Sequence, residues 1–480
     1  MSMNKLNALF KLSSNAHQGM LYGASIALMK GMSLIMLPFI ANHLSPEQFG
    51  RLEVISTLAV IGSILVGMGL EDTLFRFAGS EKSISKRRNI ASEIFSLTLL
   101  IGFITLLIGY YIAPLITPSF PGQPSVYEVR IVLAVLALEG CIAIPLGWLR
   151  MNNRALTFFV ASTGRAIIQA LLVLTFLSLD RAVTGILEAG LIAAICQTLF
   201  LSVLQLADTP IKFNLNTCKR SLVYSLPIVA SGLVAFALNG MDRWILAEYA
   251  TLIDVAQFGI AAKFALAMVL LMQPFGMWWS PRRFEVLNGI NGQQQVVKYI
   301  SLGAIIAIMI TVSVSLISPT LIYWILPESY QHAIQYVVAI AVVMLLKELV
   351  ELFNIGCFNG KTTSSQLFIN LFATAIGVLA MLWLTPEFKV WGVICSLIAA
   401  QFIRLLLFYK VSQHYLPLNF PIIPLLLFAL LASLWLLIGT LSNIPSLSVL
   451  VLVCAMGSLL MFAHYLRIIT LPTQLIVNSA

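Results

Sequence analysis

The stretch "GMLYGASIALMKGMSLIMLPFIA", residues 19–41, carries one charged side chain, Lys30, in an otherwise apolar run. As an α-helix it reaches about 34 Å at about 1.5 Å per residue, enough to cross a hydrocarbon core roughly 30 Å thick. Lys5 and Lys11 precede it. The run is too long for the apolar part of a cleavable signal peptide and no cleavage site follows, so it is expected to stay as a first membrane helix.

The same pattern recurs along the chain. Apolar runs fall at about 19–41, 54–78, 91–114, 127–148, 156–178, 184–206, 224–247, 255–279, 297–325, 332–356, 364–384, 390–410, 421–441 and 446–467, with the ninth expected to break near Pro319. Of the 480 residues, 60% are hydrophobic and 10% charged, against about 25% charged in soluble domains. Long unbroken runs signal spanning helices and not the alternating strands of a barrel. The expected fold is therefore an all-α polytopic membrane protein of about fourteen transmembrane helices.

The net charge of +9 reads first as a topology signal, with no nucleic-acid partner expected, because Lys and Arg collect in cytoplasmic loops. With the N-terminus inside, Lys5, Lys11, Lys82, Lys86, Arg87, Arg88, Arg150, Arg154, Lys212, Lys219, Arg220, Arg282, Arg283, Lys298, Lys361, Lys410 and Arg467 are all cytoplasmic. Outside loops and edges hold only Arg51, Arg130, Arg181 and Lys389. Both termini are expected in the cytoplasm. The longest loops, 79–90, 207–223 and 280–296, are polar and basic. The six cysteines and five histidines are dispersed, with neither a disulfide framework nor metal-ligand spacing, so no cofactor is expected.

An internal repeat organises the spans. Gln48-Phe49-Gly50 and Gln257-Phe258-Gly259 share the offset that separates Glu139 from Glu348. Each match opens the second helix of a six-helix half, and six is even, so the halves share one orientation about a pseudo-two-fold axis along the membrane normal. The expected division is an N-terminal lobe at 1–210, a second lobe at 211–412 and two additional helices at 413–480.

Charges inside the spans carry the functional reading. Lys30, Arg76, Arg165, Arg243, Lys263, Lys347 and Arg404 lie in or at the margins of apolar runs. Facing lipid they would cost roughly 15 kcal/mol together, so they are expected to look inward. Two readings stay open. In one, they pair with Glu139, Glu188, Asp242, Glu348 and Glu351 and hold the bundle together; Lys347 and Glu351 have the i, i+4 spacing of such a pair. In the other, Lys30, Arg165 and Lys263 line a cavity for an anionic substrate, while Arg76 lies near the inner edge and Arg243 fits either reading. Asp242 and Arg243 are sequence neighbours about 100° apart on a helix, so each is expected to need a different partner. Asp242, Glu139 and Glu348 are also candidates for carrying a coupling ion. No P-loop, nucleophile elbow or soluble lobe is present, and neither an enzyme nor an ATP-driven pump is expected.

At these residues the chain resembles a family. "KGMSLIMLPFIANHLSPEQFGRLEV" (30–54), "SLPIVASGL" (225–233), "MDRWILAEY" (241–249) and "DVAQFGIAAKFA" (254–265) are similar to the oligosaccharide flippases, the Wzx-type branch of the MOP exporter superfamily. The resemblance implies two six-helix lobes around a central cavity with two trailing helices, and alternating access across a bacterial inner membrane. The implied cargo is an undecaprenyl-pyrophosphate-linked oligosaccharide for O-antigen or lipopolysaccharide synthesis. Polymerase and chain-length proteins are implied as partners alongside membrane lipids. Lys30, Arg76 and Arg243 match the family's basic positions; Arg165 and Lys263 are assigned by location. A multidrug exporter of the same superfamily, a flippase for lipid-linked peptidoglycan precursor, and a membrane polymerase or ligase remain as alternatives.

Overall fold

The computed structural model describes residues 3–67, 69–358, 364–441 and 445–466; the side chains of 3–20, 26, 30, 239, 281, 364, 441 and 445–449 lie outside that description. The described chain is helical throughout, without a strand. In order, the helices are α1 (Met3–His43), α2 (Pro46–Gly67), α3 (Leu70–Gly79), α4 (Ile84–Ile116), α5 (Val126–Met151), α6 (Ala155–Ser178), α7 (Ala182–Asp208), α8 (Leu215–Asn239) and α9 (Met241–Tyr249). They continue as α10 (Leu252–Leu287), α11 (Gly292–Ile325), α12 (Ile334–Phe353), α13 (Ser364–Tyr415), α14 (Ile422–Leu441) and α15 (Pro445–Tyr465).

Among the described residues, eleven helices are long and apolar enough to cross a membrane. α13 supplies two of the predicted spans, since Lys389 stands at φ 48° and turns the chain inside it. α12, which carries Lys347, Glu348 and Glu351, and α15 complete the series. The chain is an all-α polytopic membrane protein.

Three expectations change. Pro319 does not break α11, which runs through it. Packing from α12, α14 and α15 supports the turn that lacks a donor there. Two other spans are interrupted instead. Span two divides between α2 and α3 at Gly69, whose φ of 59° is left-handed; an added Cβ there would also lie 3.0 Å from Ile228 on α8, so only glycine fits. Span seven divides between α8 and α9 at Gly240 (φ −143°, ψ −28°). Finally, the basic loops are shorter than predicted, because helices run past the apolar segments: α10 ends at Leu287 and α8 already begins at Leu215.

The chain forms two compact units, Met1–Glu248 and Tyr249–Ala480. In the first, α4 packs on α5, α5 on α7, α6 on α7 and on α1, and α8 on α2, α3 and α4. Leu70, Leu74, Ile94, Phe95 and Ile144 fill one core of that unit. In the second, α10, α11, α12 and α13 pack together and α14 and α15 lie on α11.

Candidate functional site

The N-terminal unit has two unlike ends. At the end where α2 begins and α9 finishes, arginines meet buried carboxylates. Arg51 Nη2 donates to Glu128 Oε1 at 2.9 Å, and that carboxylate, 1% exposed, also accepts from Thr184 at 3.2 Å. Its other oxygen accepts the Ser125 N–H at 2.8 Å, and Ser125 returns a bond to the Glu128 N–H. This capping box starts α5. Arg181 lies 2.9 Å from Glu188, which also accepts from the Tyr127 hydroxyl at 2.9 Å.

Arg243 belongs to the same end. Its Nε donates to Glu53 Oε2 on α2 at 3.0 Å, and Nη1 donates to Asp242 Oδ1 at 3.3 Å. The Asp242 carboxylate also accepts the Arg243 N–H at 2.8 Å. Side-chain exposures are 19% for Arg243, 6% for Glu53 and 7% for Asp242. The neighbours therefore do meet, contrary to the helical-angle expectation. The break at Gly240 makes Asp242 a first-turn residue of α9, and its carboxylate accepts the Arg243 N–H of that turn, where the helix dipole favours it. Beside them Trp244 packs edge-on against Phe120 and Phe236.

At the opposite end, where α3 finishes and α8 begins, an open cleft of about 870 Å³ lies between those helices. Arg76 and Phe77 of α3 line it, with Asn216, Lys219, Arg220, Val223, Tyr224, Pro227 and Ile228 of α8. Among the described residues no carboxylate lies within ion-pair distance of Arg76, Lys219 or Arg220, and all three are exposed. The Arg220 guanidinium sits 4.3 Å over the Phe77 ring, which is 5.4 Å from the Tyr224 ring. Aromatic faces hold a cation without neutralising it. Ile228 also borders a second cavity of about 280 Å³, lined by Ser63, Glu71, Asp72, Glu139 and the glycines 67, 69, 140 and 232 among others. The acids at this end are engaged elsewhere or face that cavity: Glu71 pairs with Arg150, and Asp208 takes both Arg154, at 2.7 Å, and the Trp148 indole, at 3.3 Å.

The sequence-predicted residues thus separate. Arg76 lies in the cleft. Arg243 sits in the carboxylate network. Arg165, half-buried on α6, donates to Gln197 of α7 at 3.1 Å and feels the Glu139 carboxylate through space. Lys30 lies on α1 with its side chain outside the described residues. Lys263 is half-buried on α10, and Glu348 half-buried on α12. Glu351 is 3.7 Å from Arg404, which also donates to Asn370 at 2.8 Å. Lys219 and Arg220, which the sequence marks only as cytoplasmic charges, join Arg76 in the cleft. Their signal was present: residues 216, 219, 220, 223, 224, 227 and 228 recur at i, i+3, i+4 and i+7, one face of a helix.

The model of a family described as "Polysaccharide biosynthesis protein" matches residues 17–286, more than half of the chain. The chain belongs to that family. The matched stretch contains every residue of the cleft and of the carboxylate network. Among solved structures, the chain is similar to a lipid II flippase MurJ in an inward closed conformation, with a TM-score of 0.73 at 15% identity, covering 94% of this chain and 99% of that one. It is also similar to an inward-facing multidrug resistance MATE family transporter of the MOP superfamily, at 0.56 and 14%, covering 82% and 94%. A MATE in complex with MaL6 gives 0.54 and 16%, covering 83% and 96%. At these identities the likeness speaks for the fold. No curated protein matches. The family and the shared fold agree with the architecture that the flippase resemblance of the sequence implies.

Proposed function

We propose that this member of the polysaccharide biosynthesis family is a flippase. It moves an undecaprenyl-pyrophosphate-linked oligosaccharide from the cytoplasmic to the periplasmic leaflet of a bacterial inner membrane, with both termini in the cytoplasm. The observation that carries the reading is the cleft of Arg76, Lys219 and Arg220, three cations without acidic partners beside two aromatic rings. A diphosphate offers several anionic oxygens to such donors, and charge-assisted bonds of this kind are the strong ones. The aromatic faces suit the polyprenyl stem or the first sugar ring.

Alternating access then needs the far end shut while the cleft is loaded. The Arg243–Glu53 contact performs that closure in this reading, with Gly240 as the joint at which α9 moves. Asp242 restrains Arg243 and does not carry a coupling ion; Glu139 and Glu348 remain the candidates for that role. Lys30, Arg165 and Lys263 are assigned to later contacts along the path, and the 1–210 and 211–412 lobes to the moving bodies. Polysaccharide polymerase and chain-length proteins would receive the product.

The test is the Arg76→Gln/Lys219→Gln/Arg220→Gln variant, assayed for transfer of lipid-linked oligosaccharide in everted vesicles. Loss of about 1.5–3 kcal/mol per charge-assisted bond predicts a fall of more than tenfold, with insertion and thermal stability unchanged. Wild-type transfer by this variant would refute the assignment. A second reading, a flippase for lipid-linked peptidoglycan precursor, is favoured by the fold shared with a structure titled lipid II flippase. It uses the same diphosphate chemistry, and competition between the two substrates in the vesicle assay separates them.

A further inference from the structure

The segment 209–214, between α7 and α8, is an extended strap; its ends, Thr209 (φ −141°, ψ 110°) and Asn214 (φ −137°, ψ 112°), have strand-like backbones. Alternate residues of an extended chain face opposite sides. One side is fastened to α4. The Ser92 hydroxyl donates to the Pro210 carbonyl. The Lys212 N–H donates to Ser96 Oγ at 3.2 Å and its ammonium to Asn89 Oδ1 at 2.8 Å, while the Asn214 amide reaches Glu93 at 3.5 Å. Residues 89, 92, 93 and 96 form one polar stripe along the first turns of α4.

The other side presents a row of apolar side chains. Ile211 is 61% exposed, Phe213 53% and Leu215 74%. Ile84, at the start of α4, is 69% exposed. Lys82, Lys86, Arg88 and Lys219 on the adjoining turns are exposed as well, and the first turn of α4 holds no acidic residue to balance its cations. The strap lies outside the candidate spans 182–208 and 215–238.

Ile211 and Phe213, outside the candidate spans, are unfavourable in water, and the basic first turn of α4 opposes its own helix dipole. One environment relieves both. At the boundary between headgroups and acyl chains, apolar side chains enter the acyl layer while Lys and Arg meet anionic phosphates. A protein partner would accommodate the apolar row but gives no reason for the ring of like charge. We propose that the strap and the α3–α4 loop form a ridge that seats in the headgroup layer of a leaflet containing anionic phospholipid. The ridge adjoins Asn216 and Lys219, so it sets the depth of the cleft's mouth. This inference holds whatever the cleft carries.

Spin labels on Phe213→Cys and Ile211→Cys, in a cysteine-free background of the full chain, test it in vesicles of phosphatidylglycerol and of phosphatidylcholine. Both positions are exposed, so labelling leaves the fold intact. Collisions with oxygen are expected to exceed those with a water-soluble nickel chelate, with the ratio rising in the anionic vesicles. That rise is expected to vanish in the Lys82→Gln/Lys86→Gln/Arg88→Gln variant. Nickel-dominated collisions in both vesicles would overturn the proposal and leave the ridge for a protein partner. A ratio indifferent to phosphatidylglycerol, or to the three substitutions, would overturn the role of anionic headgroups.

Discussion

The two ends of the N-terminal unit use the same residue types to opposite effect. At one end Arg51, Arg181 and Arg243 are each matched by a carboxylate, and Glu53, Asp242 and Glu128 are almost wholly buried. At the other, Arg76, Lys219 and Arg220 line an open cleft, and among the described residues none of them forms an ion pair. The difference lies in what surrounds the charges. Buried pairs cannot exchange their partner for water, so they fix structure; exposed cations keep their field available to a ligand.

Distance alone does not make that distinction, and substitutions at both ends check it. Glu53→Ala is expected to have the largest effect. It removes the Glu53 carboxylate from the buried Arg243, a loss of about 3 kcal/mol by the measure of broken buried pairs, read as a lowered thermal midpoint in detergent. A midpoint equal to wild type would mean that the network contributes nothing to closure. Glu128→Gln comes next, at about 2 kcal/mol. It keeps an acceptor for the Ser125 N–H but removes the charge that Arg51 and Thr184 address; chemical unfolding of the same preparation measures it. Asp208→Asn should be the smallest. Arg154 reaches Asp208 at 2.7 Å, closer than Arg243 reaches Glu53, but its side chain is 45% exposed. Below about 1 kcal/mol is expected, fading further in high salt. If Asp208→Asn destabilises as much as Glu53→Ala, the contrast between the two ends collapses.

The fold was legible because apolar runs of spanning length are a strong signal, and each expected span has a helix to account for it. The breaks at Gly69 and Gly240 were not legible, since a glycine in an apolar run carries no mark of its backbone angles. Arg76 was found because a cation at the edge of an apolar run is conspicuous. Lys219 and Arg220 were missed because hydropathy places the start of span seven at residue 224, which hides the helical face they share with Tyr224 and Ile228. Arg243 was singled out, but Glu53 is far away in sequence, and no spacing rule connects a residue of α2 with one of α9.

Glu53 and Arg76 belong to one membrane crossing, the first in α2 and the second in α3. A continuous helix behaves as a stiff rod, and a twist applied at one tip arrives undiminished at the other. The left-handed residue at Gly69 interrupts the backbone hydrogen-bond ladder between them. In the proposed transport cycle that break lets the tip that bears Arg76 reorient around the cargo while Glu53 stays engaged. One crossing thereby serves both ends of that cycle, holding the far end shut while the cleft is loaded.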